Sequence, residues 1–245
     1  MKSKIKYIQS LSQKKLREEE GVFIAEGPKI VDEILQASNM KARELFATTE
    51  WINRNPHWKQ HLSQTLFEIG DDELKRISLL QSPNQVLGIF EQPVFPPLKP
   101  ANKISLMLDT IQDPGNLGTI VRCADWFGVH HIICSKDCVD VYNPKVVQST
   151  MGSICRVQVV YEDLSSFIQA HSSIPVYAAT LDGHDLTNHA TIEEGIILIG
   201  NESRGIHPEL LSRVNHRITI PRKGNAESLN AAVATGIILS HLVGA

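Results

Sequence analysis

In the second half of the chain, short apolar runs alternate with amphipathic stretches. Residues 104–108, 131–134, 157–161, 175–181, 196–199 and 217–220 read as strands. Residues 116–127, 144–151, 164–170, 208–214 and 229–242 read as helices. In the first of these, Leu117, Ile120, Val121, Ala124 and Phe127 recur at helical spacing and share one face. Strands that are apolar throughout and alternate with helices predict a parallel sheet covered on both faces. The last helix is apolar on nearly every side, so it needs cover from the fold or from a partner.

The first half reads as a smaller α/β unit. Residues 5–16 mix basic and apolar positions and suit one helix. Residues 21–25 form a short strand, after which Pro28 opens a helix at a position where a missing N–H costs nothing. Ile30, Val31, Ile34 and Leu35 give that helix one apolar face. Further strands are expected at 45–48, 66–69 and 86–90, with a short helix at 72–80. Four of the chain's 12 prolines (Pro93, Pro96, Pro97 and Pro100) then crowd into one extended stretch. Such a stretch reads as a semi-rigid linker. The expected organisation is a domain at 1–92, a linker at 93–102 and a larger domain at 103–245.

Composition narrows the class. Of 245 residues, 42% are hydrophobic, and the formal net charge is only -3, which excludes disorder as the main state. No apolar run reaches the roughly 18 residues of a membrane span. The opening residues lead into no apolar leader, and the four cysteines (Cys123, Cys134, Cys138 and Cys155) are not spaced as a disulfide framework. A reduced, cytoplasmic protein with no membrane partner is the expectation.

The average charge conceals local structure. Residues 1–17 carry Lys2, Lys4, Lys6, Lys14, Lys15 and Arg17 with no acid; residues 203–223 carry five basic residues against Glu209. Such patches suit phosphate contact, although a solvated face has the same composition.

Three loops follow strands at the carboxyl ends, where open α/β sheets place ligands. The first, 109–122, turns through Asp113-Pro114-Gly115 into a helix, with Asn116 in its first turn and Arg122 further along. An arginine there can bind phosphate bidentately; a salt bridge to Asp125 or Glu202 is the plainer alternative. The second, Gly200-Asn201-Glu202-Ser203-Arg204-Gly205, lacks the G-x-G-x-x-G dinucleotide signature. The third runs from Ile220-Pro221 to Ser228-Leu229-Asn230, where Ser228 is a candidate helix cap and Asn230 an amide needing partners. His130, His131, Cys134 and Cys138 do not form a convincing zinc set, because neighbouring strand residues face opposite ways. No metal is expected.

In this order, Asn116-x5-Arg122, Gly200-Asn201-Glu202 and Ile220 with Ser228-Leu229-Asn230 resemble the three motifs of the SpoU/TrmH branch of SPOUT RNA methyltransferases. The resemblance covers about residues 103–245. Gln13-Lys14-Lys15, Phe23-Ile24-Ala25-Glu26-Gly27 and Val86-Leu87-Gly88-Ile89 also resemble the ribosomal-protein-like RNA-binding domain often attached to this branch.

The resemblance implies an α/β trefoil knot in the C-terminal domain, S-adenosylmethionine as cofactor and a homodimer formed through that domain. It implies Asn116, Arg122, Glu202, Ser228 and Asn230 as active-site residues, and Thr180, Gly200, Ile220 and Leu229 as cofactor-site residues. Lys14, Lys15, Arg17 and Arg204 would grip RNA. One departure is visible: Ser203 stands where many members have glycine. The implied reaction is methylation of a ribose 2′-hydroxyl in structured RNA, 23S rRNA before tRNA. A catalytically silent RNA-binding or ribosome-assembly protein is the alternative from another class.

Overall fold

The computed structural model describes residues 2–243, with the side chain of Lys2 outside the description. Two compact units result. The first comprises the chain up to Phe95 together with Tyr142–Cys155; the second comprises Pro96–Val141 and the chain from Arg156 onward.

The first unit is built on a four-stranded mixed sheet of order β1-β4-β2-β3, with β1 Val22–Glu26, β2 Ala42–Ala47, β3 Leu66–Glu68 and β4 Val86–Glu91. Helix α3 (Pro28–Gln36) starts with proline as expected and buries Ile30, Val31 and Ile34. One face of the sheet is closed by Ile5, Ile8, Val22, Ile24, Leu74 and Ile77 among others. Phe23 meets Phe90 and Tyr142, with ring centroids 5.7 and 5.2 Å away. The segment around α8 (Pro144–Thr150) thus contributes to the first unit.

The stretch predicted as one helix over 5–16 is two, α1 Lys2–Ser10 and α2 Lys14–Glu20. Arg17 explains the break. Its guanidinium is buried and donates to the carbonyls of Leu11 (2.9 Å) and Ser12 (2.8 Å). Those carbonyls would otherwise serve a continuing helix. Helices α4 (Thr49–Arg54) and α5 (Pro56–His61) were not expected, since neither carries a full apolar stripe. Thr48 caps the first, and Pro56 ends it by opening the second. Helix α6 spans Asp71–Ile77.

Glu26, at the end of β1, is buried and accepts from the Ser78 hydroxyl and from the Leu79 N–H (2.9 Å). Burial raises its pKa, against the pull of those two hydrogen bonds. A carboxyl whose folded pKa is raised contributes stability at low pH that is lost as pH rises through the folded value. Glu26→Gln is therefore expected to raise the melting temperature by a few degrees near neutral pH and by less near about pH 4. Thermal denaturation at the two pH values checks this.

The second unit is a six-stranded, wholly parallel sheet of order β10-β8-β9-β5-β6-β7. The strands are β5 Ile104–Leu108, β6 His131–Cys134, β7 Gln158–Tyr161, β8 Val176–Asp185, β9 Gly195–Ile199 and β10 His216–Thr219. The helices are α7 Pro114–Trp126, α9 Leu164–Ala170, α10 Pro208–Leu211 and α11 Ala231–Leu242. Leu106, Met107, Leu108 and Ile196, Ile197, Leu198 are fully buried, as strands with both faces covered require.

Helix α11 is covered by its own unit on one side only. Ala231, Thr235, Ile238, Leu239 and Leu242 are buried, but Val233 and Ile237 remain 51% and 40% exposed. β8 also runs past its predicted end. Its pairing with β10 jumps from Ala178↔Arg217 to His184↔Ile218, so residues 179–183 leave the ladder.

Candidate active site

The strand order puts the chain's direction change between β5 and β9. β5 leads to β6 and β7 on one side, while β9 carries β8 and β10 on the other. Ligands of open parallel sheets bind outside the carboxyl ends at such a point. The loops after β5 and β9, and the entry to α11, meet there.

The loop after β5 is held tightly. Asp109 is buried; its Oδ2 accepts from the His207 N–H (2.7 Å) and its Oδ1 from the Thr110 hydroxyl (3.0 Å). Thr110 has φ +58°, a conformation that costs a residue with a Cβ about 1–2 kcal/mol. It is fixed from every side: the Ser135 hydroxyl accepts from its N–H (2.9 Å), and its carbonyl accepts from Asn201 Nδ2 (2.8 Å). The Ile111 N–H points at Cys138 Sγ (3.2 Å). The Cys134 side chain, more than any other neighbour, lowers the Cys138 pKa to about 7. Asp113 then caps α7 by accepting from the Asn116 N–H (2.8 Å), which sets Asn116 in the first turn.

The loop after β9 doubles back on itself. Asn201 and Gly205 exchange both backbone hydrogen bonds (3.1 and 2.9 Å), and Asn201 Oδ1 accepts from Ser203 and Arg204 N–H groups (2.9 and 3.1 Å). A Cβ on Gly200 would stand 2.5–2.7 Å from backbone atoms of Gly205 and Ile206, so only glycine permits this turn. The left-handed residue is Gly205 (φ +69°), and Ser203 is not among the residues of positive φ. Serine in place of the family's usual glycine therefore creates no backbone strain here.

Asn116, Glu202 and Asn230 come together from three loops. Asn116 Nδ2 donates to Glu202, and Asn230 Nδ2 donates to Asn116 Oδ1 (2.8 Å). Asn230 also caps α11, accepting from Ala232 and Val233 N–H groups (2.9 and 3.2 Å). It is exposed, not buried, and it takes the capping role expected of Ser228. The reason is position: α11 begins at Ala231, so a cap three residues earlier is out of reach.

Arg122 and Ser228 are not joined to this cluster by any hydrogen bond among the described residues. Arg122 is exposed on α7 and forms no salt bridge there. The carboxylates suggested as its partners are engaged elsewhere: Asp125 pairs with Arg156 (2.9 Å), and Glu202 accepts from Asn116.

Besides Gly200, the residues expected to hold the cofactor come from three further segments. Thr180 lies in the excursion of β8, Ile220 follows β10, and Leu229 precedes α11. Gly183 passes so close to β10 that a Cβ would meet Ile218 backbone atoms at 2.6 Å. Leu181 and Leu229 are 77% and 45% exposed.

Of the residues expected to grip RNA, Arg204 is exposed on the β9 turn. Lys14 and Lys15 are exposed on α2, within 3.6 and 3.8 Å of Glu18 and Glu19. Arg17 is a correction. Its buried guanidinium serves the α1–α2 break and does not reach solvent. The residues missed by sequence reasoning are Asp109, Thr110 and Asn201. Their loops were singled out, but nothing in a linear pattern shows that one side chain bridges residues 91 positions apart. Among the described residues, no group of three His, Cys, Asp or Glu side chains could hold a metal ion, and no helix is long and apolar enough to cross a membrane.

Comparison with known proteins agrees with this geometry. Residues 103–240 match the SpoU rRNA Methylase family, and residues 2–88 match the MRM3-like substrate binding domain. The chain is 30% identical to the 23S rRNA (guanosine(2553)-2′-O)-methyltransferase RlmP of Bacillus subtilis (strain 168), over 98% of this chain and 96% of that protein. A putative RNA methyltransferase of the TrmH family from Porphyromonas gingivalis superposes with a TM-score of 0.82 at 36% identity, covering 96% of this chain and 95% of that one. The AdoMet-bound rRNA methyltransferase from Sinorhizobium meliloti superposes with a TM-score of 0.85 at 32% identity, covering 96% and 92%. With its three motif loops gathered at one end of a parallel sheet, this chain belongs to the SpoU rRNA methylase family.

Proposed function

We propose that this member of the family is an S-adenosylmethionine-dependent methyltransferase acting on a ribose 2′-hydroxyl of ribosomal RNA, most specifically 23S rRNA. The observation that carries the reading is the Asn116–Glu202–Asn230 cluster at the sheet's direction change, beside a loop set suited to the cofactor. Near-full-length similarity to RlmP supports the rRNA substrate. The N-terminal unit, matched to a substrate-binding domain, would hold the RNA, and Lys14, Lys15 and Arg204 would contact phosphates. The α/β trefoil knot implied by the family resemblance belongs to the same reading, as does a cytoplasmic site of action.

Thr180, Gly200, Ile220 and Leu229 would hold the cofactor, chiefly through backbone groups, with Leu181 and Leu229 covering its base. Bound S-adenosylmethionine supplies a methyl group already activated on a sulfonium. The chain's own work is then alignment and charge. Asn116, its carbonyl turned to Asn230 and its NH2 to Glu202, presents a fixed amide to the 2′-hydroxyl. Arg122, always protonated, holds the neighbouring phosphate and stabilises negative charge developing on the ribose oxygen. Ser228 helps orient the hydroxyl.

The homodimer is part of the same proposal. Trp126 is 84% exposed one helical turn beyond Arg122, and Val233 and Ile237 are exposed on α11, which packs against α7. An exposed apolar face of this kind needs cover. Burying it against a second copy would place Arg122 at the interface. Val233→Glu is expected to convert a dimer to monomers in sedimentation velocity and to remove most activity; an unchanged dimer would reject this face.

The reaction is tested by incubating the protein with methyl-labelled S-adenosylmethionine and undermodified ribosomal RNA, then identifying labelled nucleosides. A labelled 2′-O-methylnucleoside in 23S rRNA is the expected result. Label in tRNA alone would reject the substrate, and cofactor binding with no label in any RNA would reject the activity.

A further inference from the structure

A polar crevice opens beside the Asn201 turn. It has a volume of about 420 Å³ and lies over the carboxyl ends of β5, β6, β7 and β9. None of Asn116, Arg122, Glu202, Ser228 or Asn230 lines it, nor does any proposed cofactor residue. Its inner wall is the fixed part of the active-site loops: Asp109, Thr110 and Asn201.

The rim carries exposed charged groups of both signs. Lys136 and Arg204 are exposed and form no ion pair among the described residues. The carboxylates of Asp137 and Glu162 are exposed and accept no hydrogen bond there. The other rim carboxylates are engaged: Asp163 caps α9, accepting from Ser166 N–H (2.8 Å), and Glu209 accepts from the Ser165 hydroxyl (2.7 Å). The free set therefore offers cations for a phosphate and carboxylates for the N–H groups of a base edge.

A pocket of this size accepts a single nucleotide but not a helix. It also shares the Asn201 turn with Glu202, so an occupant would sit next to the reacting ribose. We propose that this crevice is a subsite for one unpaired nucleotide flanking the methylated ribose, with Lys136 and Arg204 on its phosphate and Asp137 on its base. The subsite would read the neighbour of the target nucleotide. Single-stranded residues whose base edges are accessible are what proteins read in RNA by sequence.

This inference rests on the methyltransferase reading, which wild-type methyl transfer tests by itself. With the methylated position mapped, RNAs lacking the base on either side of it are compared in the wild type, Lys136→Ala and Asp137→Ala proteins. Each substitution is expected to raise the RNA KM about tenfold, roughly the worth of one good base or phosphate contact, with kcat and the cofactor KM within about twofold. Removing one flanking base should weaken wild type by a similar factor and Asp137→Ala hardly further. The Lys136 effect should shrink as salt is raised. RNA KM values within about twofold of wild type in both variants would overturn the subsite. So would a base-removal penalty that is the same size in Asp137→Ala as in wild type.

Discussion

Arg122→Lys will bind S-adenosylmethionine as the wild type does and transfer its methyl group at least about a hundredfold more slowly. The substitution keeps a positive charge at an exposed site on α7 that has no salt bridge among the described residues, so folding has little reason to respond. What changes is geometry. Guanidinium offers a planar fork that can hold a phosphate with two hydrogen bonds and still aim a third donor, whereas an ammonium is a compact point charge. Loss of one aligned donor to a developing oxyanion costs on the order of a hundredfold to a thousandfold in kcat. Single-turnover transfer measured alongside cofactor binding by calorimetry separates the two. A lysine enzyme within a few-fold of wild type would reject the bidentate role and leave Arg122 as a general electrostatic contact.

Gly200→Ala should do larger and different damage. The added methyl group would lie 2.5–2.7 Å from backbone carbon, nitrogen and oxygen of Gly205 and Ile206. These atoms cannot rotate aside as a flexible side chain can. The turn must open, and the paired hydrogen bonds between Asn201 and Gly205 go with it. Glu202 then loses its place beside Asn116, and the cofactor loses one wall. Cofactor binding is expected to fall below detection by calorimetry, with activity lost. The melting temperature should drop by several degrees, since overpacking costs about 1–3 kcal/mol or more. The reverse result, a well-folded alanine protein that binds the cofactor normally, would mean that the turn is not the cofactor wall. Together the two variants distinguish a fault in charge placement from a fault in backbone shape.

How much of this was legible in the linear chain depends on the kind of feature. Strand β5, strand β6 and helix α9 fall where apolar runs and turn residues put them, because a fully buried strand has a local composition signature. Helices α4 and α5 escaped, since one is set by a threonine cap and the other by a proline, with only Trp51 and Ile52 buried between them. Arg17 shows the opposite error. In sequence it is one more cation in a basic run, and in the fold its guanidinium is enclosed by the turn it stabilises. Charge counting sees composition; only packing says which charges meet solvent.

The same division runs through the site. The amino-acid order by itself determined the alternation of strands and helices, and the spacing of Asn116, Glu202 and Asn230 within their three loops. These follow from local rules of periodicity, capping and turn chemistry, each spanning only a few residues. Tertiary structure alone decided that the three side chains form one hydrogen-bonded chain, and that Asn201 reaches back to the carbonyl of Thr110. It also decided that β8 leaves its ladder beside Gly183, and that a polar crevice opens beside the Asn201 turn. Those features depend on which strands lie side by side. In a parallel sheet, neighbours are set by the burial of both faces and the path of each crossover, and no window along the chain contains both partners.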